Sequence, residues 1–265
     1  MHLYFKDLWW SFALLCIASY LVGNVNFAIL ISKLKNRDIT KEGSGNPGTM
    51  NMSRTFGLKI GLLTLVLDVL KGVMPSLFAR IVFSEMYFGD STLEVGITAQ
   101  YLAGFFTVIG HVFPLLNNFK GGKGIATTIG VFLVAEPYVT LIFAIIALLY
   151  ILITAMGSMG SFIATAPPAI ASLVDIYVLG FMNEPTFEYG MVFFIITDLL
   201  VLATILLTWY THRKNIKRLV SGEEHETGWL DMIYEMRLKK VRKKLLKKEE
   251  KAQKKEMKKE ERQKG

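Results

Sequence analysis

Seven apolar stretches, most of them long enough to cross a bilayer as helix, dominate this chain of 265 residues. Inside a hydrocarbon layer every backbone N–H and C=O must find its partner within the protein. A run of about 20 apolar residues there has little choice but to be helical. The stretches cover approximately residues 8–31, 60–83, 95–116, 125–135, 138–156, 162–181 and 189–210. The fourth is short and turns at Glu136-Pro137, which leaves a tilted or re-entrant element open. Hydrophobic residues make up 52% of the chain, and little sequence remains for a soluble fold. The expected fold class is all-α: a polytopic integral membrane helix bundle of about seven transmembrane helices.

Charge gives the bundle a direction. Lys and Arg follow the first, third and seventh stretches, whereas the segments after the second, fourth and sixth contain neither. Cationic loops stay on the cytoplasmic side, so the N-terminus is expected outside and the C-terminus in the cytoplasm. The formal net charge of +8 is concentrated late in the chain. Residues 1–225 read as the membrane-embedded domain and 226–265 as a basic cytoplasmic tail, charged helix or disordered. Leu238, Val241 and Leu245 give that tail a faint apolar stripe. A lysine-rich segment after a membrane helix is first a contact for anionic lipid headgroups, so no nucleic acid partner is expected. The single cysteine, Cys16, excludes an intramolecular disulfide and a cysteine metal site. Trp9 and Trp10 begin a run too long for a cleavable signal, which reads as a retained first span.

Three polar segments between the apolar ones carry the chemistry. Residues 43–54 read GSGNPGTMNMSR, 110–127 read GHVFPLLNNFKGGKGIAT, and 212–224 read HRKNIKRLVSGEE. The topology puts all three on one side of the membrane. The first fits a GxGxxG pattern at Gly43, Gly45 and Gly48, yet it lies between membrane helices rather than in a βαβ unit, so a dinucleotide fold is rejected. The second is not a Walker A loop, because Gly124 follows Lys123 where Ser or Thr is required. Both share a physical feature: glycines let backbone donors face an anion, and Ser44, Asn51, Arg54, Lys120 and Lys123 add hydrogen bonds and charge. The second segment also leads into a helix N-terminus, which favours anions. The third places His212, Arg213, Asn215, Lys217 and Arg218 just past a span. Within the apolar runs, Asp68 and Lys71 share a helix face about 15 Å deep, where ion pairs face the bundle interior. Asp175 and Asp198 are further interior carboxylates. Such a convergence of cations and backbone donors suits a phosphate-bearing ligand at a membrane surface.

Together these residues resemble the bacterial acyl-phosphate:glycerol-3-phosphate acyltransferase family over about the first 225 residues. Gly43, Ser44, Gly45, Asn46, Gly48, Asn51 and Arg54 carry the first motif. Gly110, His111, Phe113, Pro114, Phe119, Lys120, Gly121, Gly122, Lys123, Gly124, Ala126 and Thr127 carry the second. His212, Arg213, Asn215, Ile216, Arg218, Leu219, Gly222 and Glu224 carry the third. The chain departs from the pattern at Thr49-Met50, where the family has Ala-Thr, in the link at 157–161, which lacks a basic residue, and in its long basic tail.

The resemblance implies transfer of a fatty acyl group from acyl phosphate to the 1-hydroxyl of glycerol 3-phosphate, the first step of phospholipid synthesis. The location implied is the bacterial cell membrane, with the site facing the cytoplasm. Acyl phosphate is already an activated mixed anhydride, so no cofactor and no metal are expected. Ser44, Arg54, His111, His212 and Asn215 are the expected catalytic residues. Gly45, Asn46, Asn51, Lys120, Gly121, Gly122, Lys123 and Gly124 are expected to bind substrate, and Asp68, Lys71 and Glu224 to support the site. Two acceptors are open to the hydroxyl proton, His111 and a substrate phosphate. An organic-phosphate transporter would also use helix breaks and intramembrane charge, but here the cationic loops cluster on one face and no inverted repeat is evident. A purely structural membrane protein with a recruiting tail is the third reading. Acyl-chain preference and oligomeric state are not legible.

Overall fold

Small polar side chains share the inside of this protein with an apolar core around Phe132, Phe193 and Val201, and apolar side chains also cover its outside. Thr64, Thr107, Thr127, Thr128, Ser76, Ser172 and Thr208 are buried, while Leu14, Ile17, Leu21, Val66, Phe78, Ile153, Ile170 and Leu206 are exposed. That inversion is what a hydrocarbon solvent selects: lipid tails take up leucine as readily as a core does, and small polar residues let helices approach and bond. The computed structural model describes residues 5–89, 91–183, 187–223 and 227–263. Among them the chain is helical, with a single β-bridge pair, Tyr87 and Glu94.

The helices are α1 (Phe5–Asn24), α2 (Phe27–Leu34), α3 (Thr49–Phe56), α4 (Leu58–Val82), α5 (Val95–Val112), α6 (Ile125–Ala135), α7 (Pro137–Thr154), α8 (Gly157–Tyr177), α9 (Phe187–Thr211), α10 (Arg213–Val220) and α11 (Trp229–Gln263). A π-helical turn, Val178–Asn183, extends α8. Among the described residues six segments are long and apolar enough to cross a membrane: Trp9–Leu34, Leu58–Val82, Val95–Asn117, Pro137–Thr154, Gly157–Met182 and Glu188–Thr211. The protein is thus a multi-pass membrane helix bundle. The expected fourth span corresponds to α6, which has only 11 residues, about 16 Å of rise. Gly124, at φ +86°, starts it, and Glu136-Pro137 ends it by opening α7.

Two boundaries differ from the sequence reading. The first span is not one helix. It breaks at Asn24-Val25-Asn26, where the Asn26 side chain caps α2 by accepting from the Ile29 N–H at 3.0 Å. The break between α7 and α8 falls at Ala155-Met156, before the 157–161 link (GSMGS) that separates the fifth and sixth apolar stretches, so Ser158 lies inside the first turn of α8. Ala155 makes the turn in the left-handed region at φ 60°.

Helix α5 is the hub, more buried than any other membrane-length helix, and it touches α1, α4, α6 and α9. Leu15, Ser19 and Gly23 form the buried stripe of α1, four apart, and face it. The approach is close because glycines meet backbone. A Cβ on Gly23 would strike the Thr107 carbonyl, and one on Gly110 would strike that of Tyr20. Helices α4 and α6 use the same device, with Gly72 against Thr127 O and Gly130 against Val69 O. Hydroxyl pairs join the other helices: Thr98 with Thr197 at 2.7 Å across α5 and α9, and Thr128 with Thr208 at 2.9 Å across α6 and α9.

The chain divides into two compact units, Met1–Thr227 and Gly228–Gly265. The second is α11, whose segment from Arg237 to Lys248 contains eight Lys and Arg and no acidic residue. Along its surface Leu238, Val241 and Leu245 are exposed.

The glycine contacts generate a stability prediction. Gly130→Val forces α4 and α6 apart, and overpacking of this kind costs about 1–3 kcal/mol. The detergent-solubilised variant should melt at a lower temperature than wild type; an unchanged midpoint means that this helix pair is not held by backbone approach.

Candidate active site

The polar segments meet at one end of the bundle. The loop between α2 and α3 is organised from below by Asn51, which is 1% exposed. Its Nδ2 donates to Glu42 O at 2.9 Å and to Ile39 O at 3.2 Å, and its Oδ1 accepts from the Ser44 N–H at 3.1 Å. Gly43 and Gly45 take positive φ, 52° and 69°, to make the turn. Arg37 grips Glu42 with two hydrogen bonds, at 2.9 and 2.7 Å. Ser44 is held exposed at the rim, with its hydroxyl 3.5 Å from the Asn46 N–H. Arg54 is exposed one helical turn beyond Asn51 on α3. The expected direct contact between Asn51 and substrate therefore gives way to a positioning role: the amide faces inward and both its ends are engaged by backbone.

The glycine loop departs from expectation in the same way. Gly121 N–H donates to Val112 O at 3.1 Å, and Gly122 N–H to His111 O at 3.2 Å. The loop folds back on α5 and satisfies carbonyls that a helix C-terminus leaves unpaired. These two N–H groups are not offered to an anion. The glycines are needed for space: a Cβ on Gly121 would collide with His111 O, and one on Gly122 with the His111 ring at Nε2. Asn118 and Phe119, at φ 51° and 58°, make the preceding turn. Helix α1 anchors that turn, with Tyr20 OH donating to Phe113 O at 2.9 Å and Asn24 Oδ1 accepting from the Leu116 N–H at 3.3 Å. Lys120 is exposed on the loop.

Asn215 joins the loop to the third segment. Its Oδ1 accepts from Lys123 Nζ at 2.8 Å and from Arg218 Nη2 at 3.0 Å, while its Nδ2 donates to Ser158 Oγ at 2.9 Å. Thr211 Oγ1 lies 2.8 Å from Lys123 O and fixes the loop from the α9 side. His212 is buried beside them, its Nδ1 3.1 Å from Thr208 O. Burial, and then the Lys123 charge, push its pKa down to about 4. The first segment arrives through Met50, whose methyl lies where a Cβ on Gly157 would make close contact. Met50 thus borders the start of α8, beside the residue that precedes Ser158. Ser158, 2% exposed, was missed by sequence reading, because a serine in GSMGS reads as a helix break and nothing local links it to Asn215.

Beneath the loop lies the buried cluster Asp68, Lys71 and His111. Lys71 Nζ is 2.8 Å from Val25 O, 2.8 Å from His111 Nδ1 and 3.3 Å from Asp68 Oδ1. Glu224 lies outside the described residues. At the opposite end of the bundle are the Arg80–Glu94 ion pair and Glu136 beside Asp175. Burial, and next Asp175, push the Glu136 carboxyl up to about 7.

A cationic surface with a fixed amide hub can seat and orient a phosphate ester, and a bundle open to lipid can take an acyl chain beside it. Comparisons with known proteins agree with that geometry. A family profile described as glycerol-3-phosphate acyltransferase matches residues 13–222. The glycerol-3-phosphate acyltransferase of Mycoplasmopsis pulmonis is 34% identical over 219 residues, 81% of this chain and 92% of the relative. Glycerol-3-phosphate acyltransferase 2 of Thermotoga maritima is 37% identical over 221 residues, 83% and 97% of the two chains. The crystal structure of PlsY (YgiH), an integral membrane glycerol 3-phosphate acyltransferase, superposes in its glycerol 3-phosphate form with a TM-score of 0.67 at 32% identity, covering 84% of this chain and 99% of that one. Its lysophosphatidic acid form gives 0.65.

The buried histidine at the site generates a pH prediction. His212 titrates near 4 in the fold against 6.5 for the free group, so the unfolded chain binds more protons between those values. Its contribution to stability is intact above about pH 6.5 and is lost as pH falls toward 4. Glu136 acts with the opposite sign between 4.5 and about 7, so the comparison must be between variants. Acidification from pH 7 to 5 should lower the melting temperature of wild type more than that of His212→Asn, whose amide can still donate to Thr208 O. Equal drops would refute the buried neutral imidazole.

Proposed function

Because the chain belongs to the glycerol-3-phosphate acyltransferase family, we propose that it transfers a fatty acyl group from acyl phosphate to the 1-hydroxyl of glycerol 3-phosphate, releasing lysophosphatidic acid and inorganic phosphate. The observation that carries this reading is the Lys123–Asn215–Ser158 connection. It joins the glycine loop, the start of α8 and the third polar segment into one cationic seat. The two forms of the solved relative name the same acceptor and product.

In the proposed reaction the glycerol oxygen attacks the acyl carbonyl carbon, an ester C–O bond forms, and the acyl C–O bond to phosphate breaks. The hydroxyl proton ends on the departing phosphate, so the reaction balances without a cofactor. Acyl phosphate is activated before it binds, and what the protein must supply is orientation and charge stabilisation. We assign Ser44 and Arg54 to the phosphate or acyl carbonyl of the donor. Arg54 can hold such an anion by two parallel hydrogen bonds. Lys120, Lys123 and the chain around Gly121, Gly122 and Gly124 form the seat for glycerol 3-phosphate. Asn215, fixed by Ser158, keeps its oxygen on Lys123 and so aims that cation. Gly45, Asn46 and Asn51 shape the Ser44 loop, and His212 closes the pocket as a neutral group.

We further assign residues 1–225 to the acyltransferase domain, with seven membrane crossings that include α6. The N-terminus lies outside, and the site faces the cytoplasm at the bacterial cell membrane. The basic tail rests on anionic headgroups. Positive-inside charge supports this orientation, as does the meeting of all three basic segments at one end of the bundle.

The deciding assay offers glycerol 3-phosphate to purified protein with acyl phosphate or acyl-CoA separately; transfer only from acyl-CoA ends the donor assignment. Arg54→Ala should lower kcat/KM by about 10²–10³-fold, the scale of losing one charge-stabilising group, and near-normal transfer refutes its role. Gly122→Ala pushes on a ring pinned from behind, and displacing a site by about 1 Å can cost 100-fold. The loss should appear mainly as a higher KM for glycerol 3-phosphate; an unchanged KM moves that substrate elsewhere. Truncation after about Asp231 should leave transfer in detergent intact, and its loss there would place function in the tail.

A further inference from the structure

We propose that Lys71 locks His111 as a hydrogen-bond donor toward the glycine loop, so that His111 does not accept the proton of the reacting hydroxyl. An ammonium has three N–H groups and no acceptor. Lys71 Nζ has three partners: Val25 O and His111 Nδ1, each at 2.8 Å, and Asp68 Oδ1 at 3.3 Å. The first is a carbonyl exposed by the break between α1 and α2, and it can only accept. The third is a carboxylate that forms a buried ion pair with Lys71, the two side chains 3% and 1% exposed. In the 2.8 Å contact with His111 the ammonium can only donate, so Nδ1 must present its lone pair. A proton on Nδ1 would face the ammonium directly. Were it instead shared with Asp68, the ring would sit closer to that carboxylate than the observed 3.8 Å.

With Nδ1 accepting, the neutral ring carries its proton on Nε2. Nε2 is the atom against which a Cβ on Gly122 would collide, so the N–H is aimed at the loop. A general base needs a free lone pair within reach of the proton it takes, and this ring has none on its loop side. His212 makes the contrast. Its Nδ1 lies 3.1 Å from Thr208 O, an acceptor only, so His212 carries its proton on Nδ1 and keeps its lone pair on Nε2. The two buried histidines hold opposite tautomers, one a fixed donor and the other a fixed acceptor. Lys71 is a positioning residue: it acts on the loop through His111. The role of His111 in catalysis rests on the acyl-transfer reading above, whereas the state of its ring does not.

The test is nitrogen NMR of the full chain, labelled with 15N-histidine and held in lipid nanodiscs near pH 7 without substrate. His111→Gln identifies the His111 signals by their loss. Wild type should show a protonated, pyrrole-type Nε2 and an unprotonated, pyridine-type Nδ1 at His111, and the reverse at His212. A protonated Nδ1 at His111, alone or with Nε2, overturns the proposal. Lys71→Met should turn the His111 signals into a tautomer mixture, while Lys71→Arg, which still donates, should keep the wild-type pattern. A Lys71→Met protein whose His111 stays wholly Nε2-protonated removes Lys71 from the role. If Lys71→Met does not fold, the wild-type spectrum still decides the donor assignment. In kinetics His111→Gln, whose amide N–H can reach the same place, should retain at least about one-tenth of kcat and the wild-type pH–rate profile. A fall of 10²–10⁴-fold, the scale of losing a general base, with loss of one limb of that profile, sinks it.

Discussion

A lysine ammonium buried in an apolar bundle is the constraint around which this protein is organised. Charge in hydrocarbon is costly, and removal of either member of a buried pair leaves the other uncompensated. Lys71 meets the cost with partners from three parts of the chain: Asp68 on its own helix, the Val25 carbonyl in the break between α1 and α2, and His111 on α5. The break in the first membrane segment serves the same arrangement, since it leaves the Val25 carbonyl open to Lys71. The ring of His111, held from behind, is then a rigid wall for the glycine loop. Lys71 thus ties the depth of the bundle to the geometry of its functional end.

Close backbone packing does the rest. Gly23 with Gly110 and Gly72 with Gly130 bring α1, α4, α5 and α6 near enough for side chains from separate helices to share single hydrogen bonds. The loops are then fastened to the helices rather than left to solvent. Tyr20 and Asn24 hold the chain after α5, Thr211 holds Lys123, and Asn51 ties the Ser44 loop from within. A reaction that relies on orienting an already activated donor benefits from such rigidity, because misplacing the reacting groups costs rate directly.

Local patterns carried much of this. Apolar length fixed the helical membrane class, and loop charge supplied an orientation. The dense clusters of glycine, amide and cation at residues 43–54, 110–127 and 212–224 marked the candidate site and the family. Asp68 and Lys71 stood out because charge in an apolar run needs a reason. What local pattern could not supply was direction. Glycine-rich sequence reads equally as a nest of donors or as room for a neighbour, and at Gly121 and Gly122 it is room, because α5 claims those N–H groups. Asn51 reads as a ligand-facing amide, and it turns inward. Ser158 had no legible partner, since its bond to Asn215 spans 57 residues. The departure at Met50 has a counterpart at Gly157, against which its methyl packs.

The sequence by itself determined the solvent this protein lives in, the helical character of its segments, the late part of the chain where charge gathers, and the chemical family to which its motifs belong. These follow from composition and spacing over a few residues, where hydropathy and backbone pairing act. Only the tertiary structure decided which atoms of those motifs are free and which are engaged. The partners that settle it, Lys71 for His111 and Lys123 for Asn215, lie 40 and 92 positions away in the chain. A hydrogen bond reaches only about 3 Å and has a direction, so its identity is fixed when packing brings those distant positions together and not before.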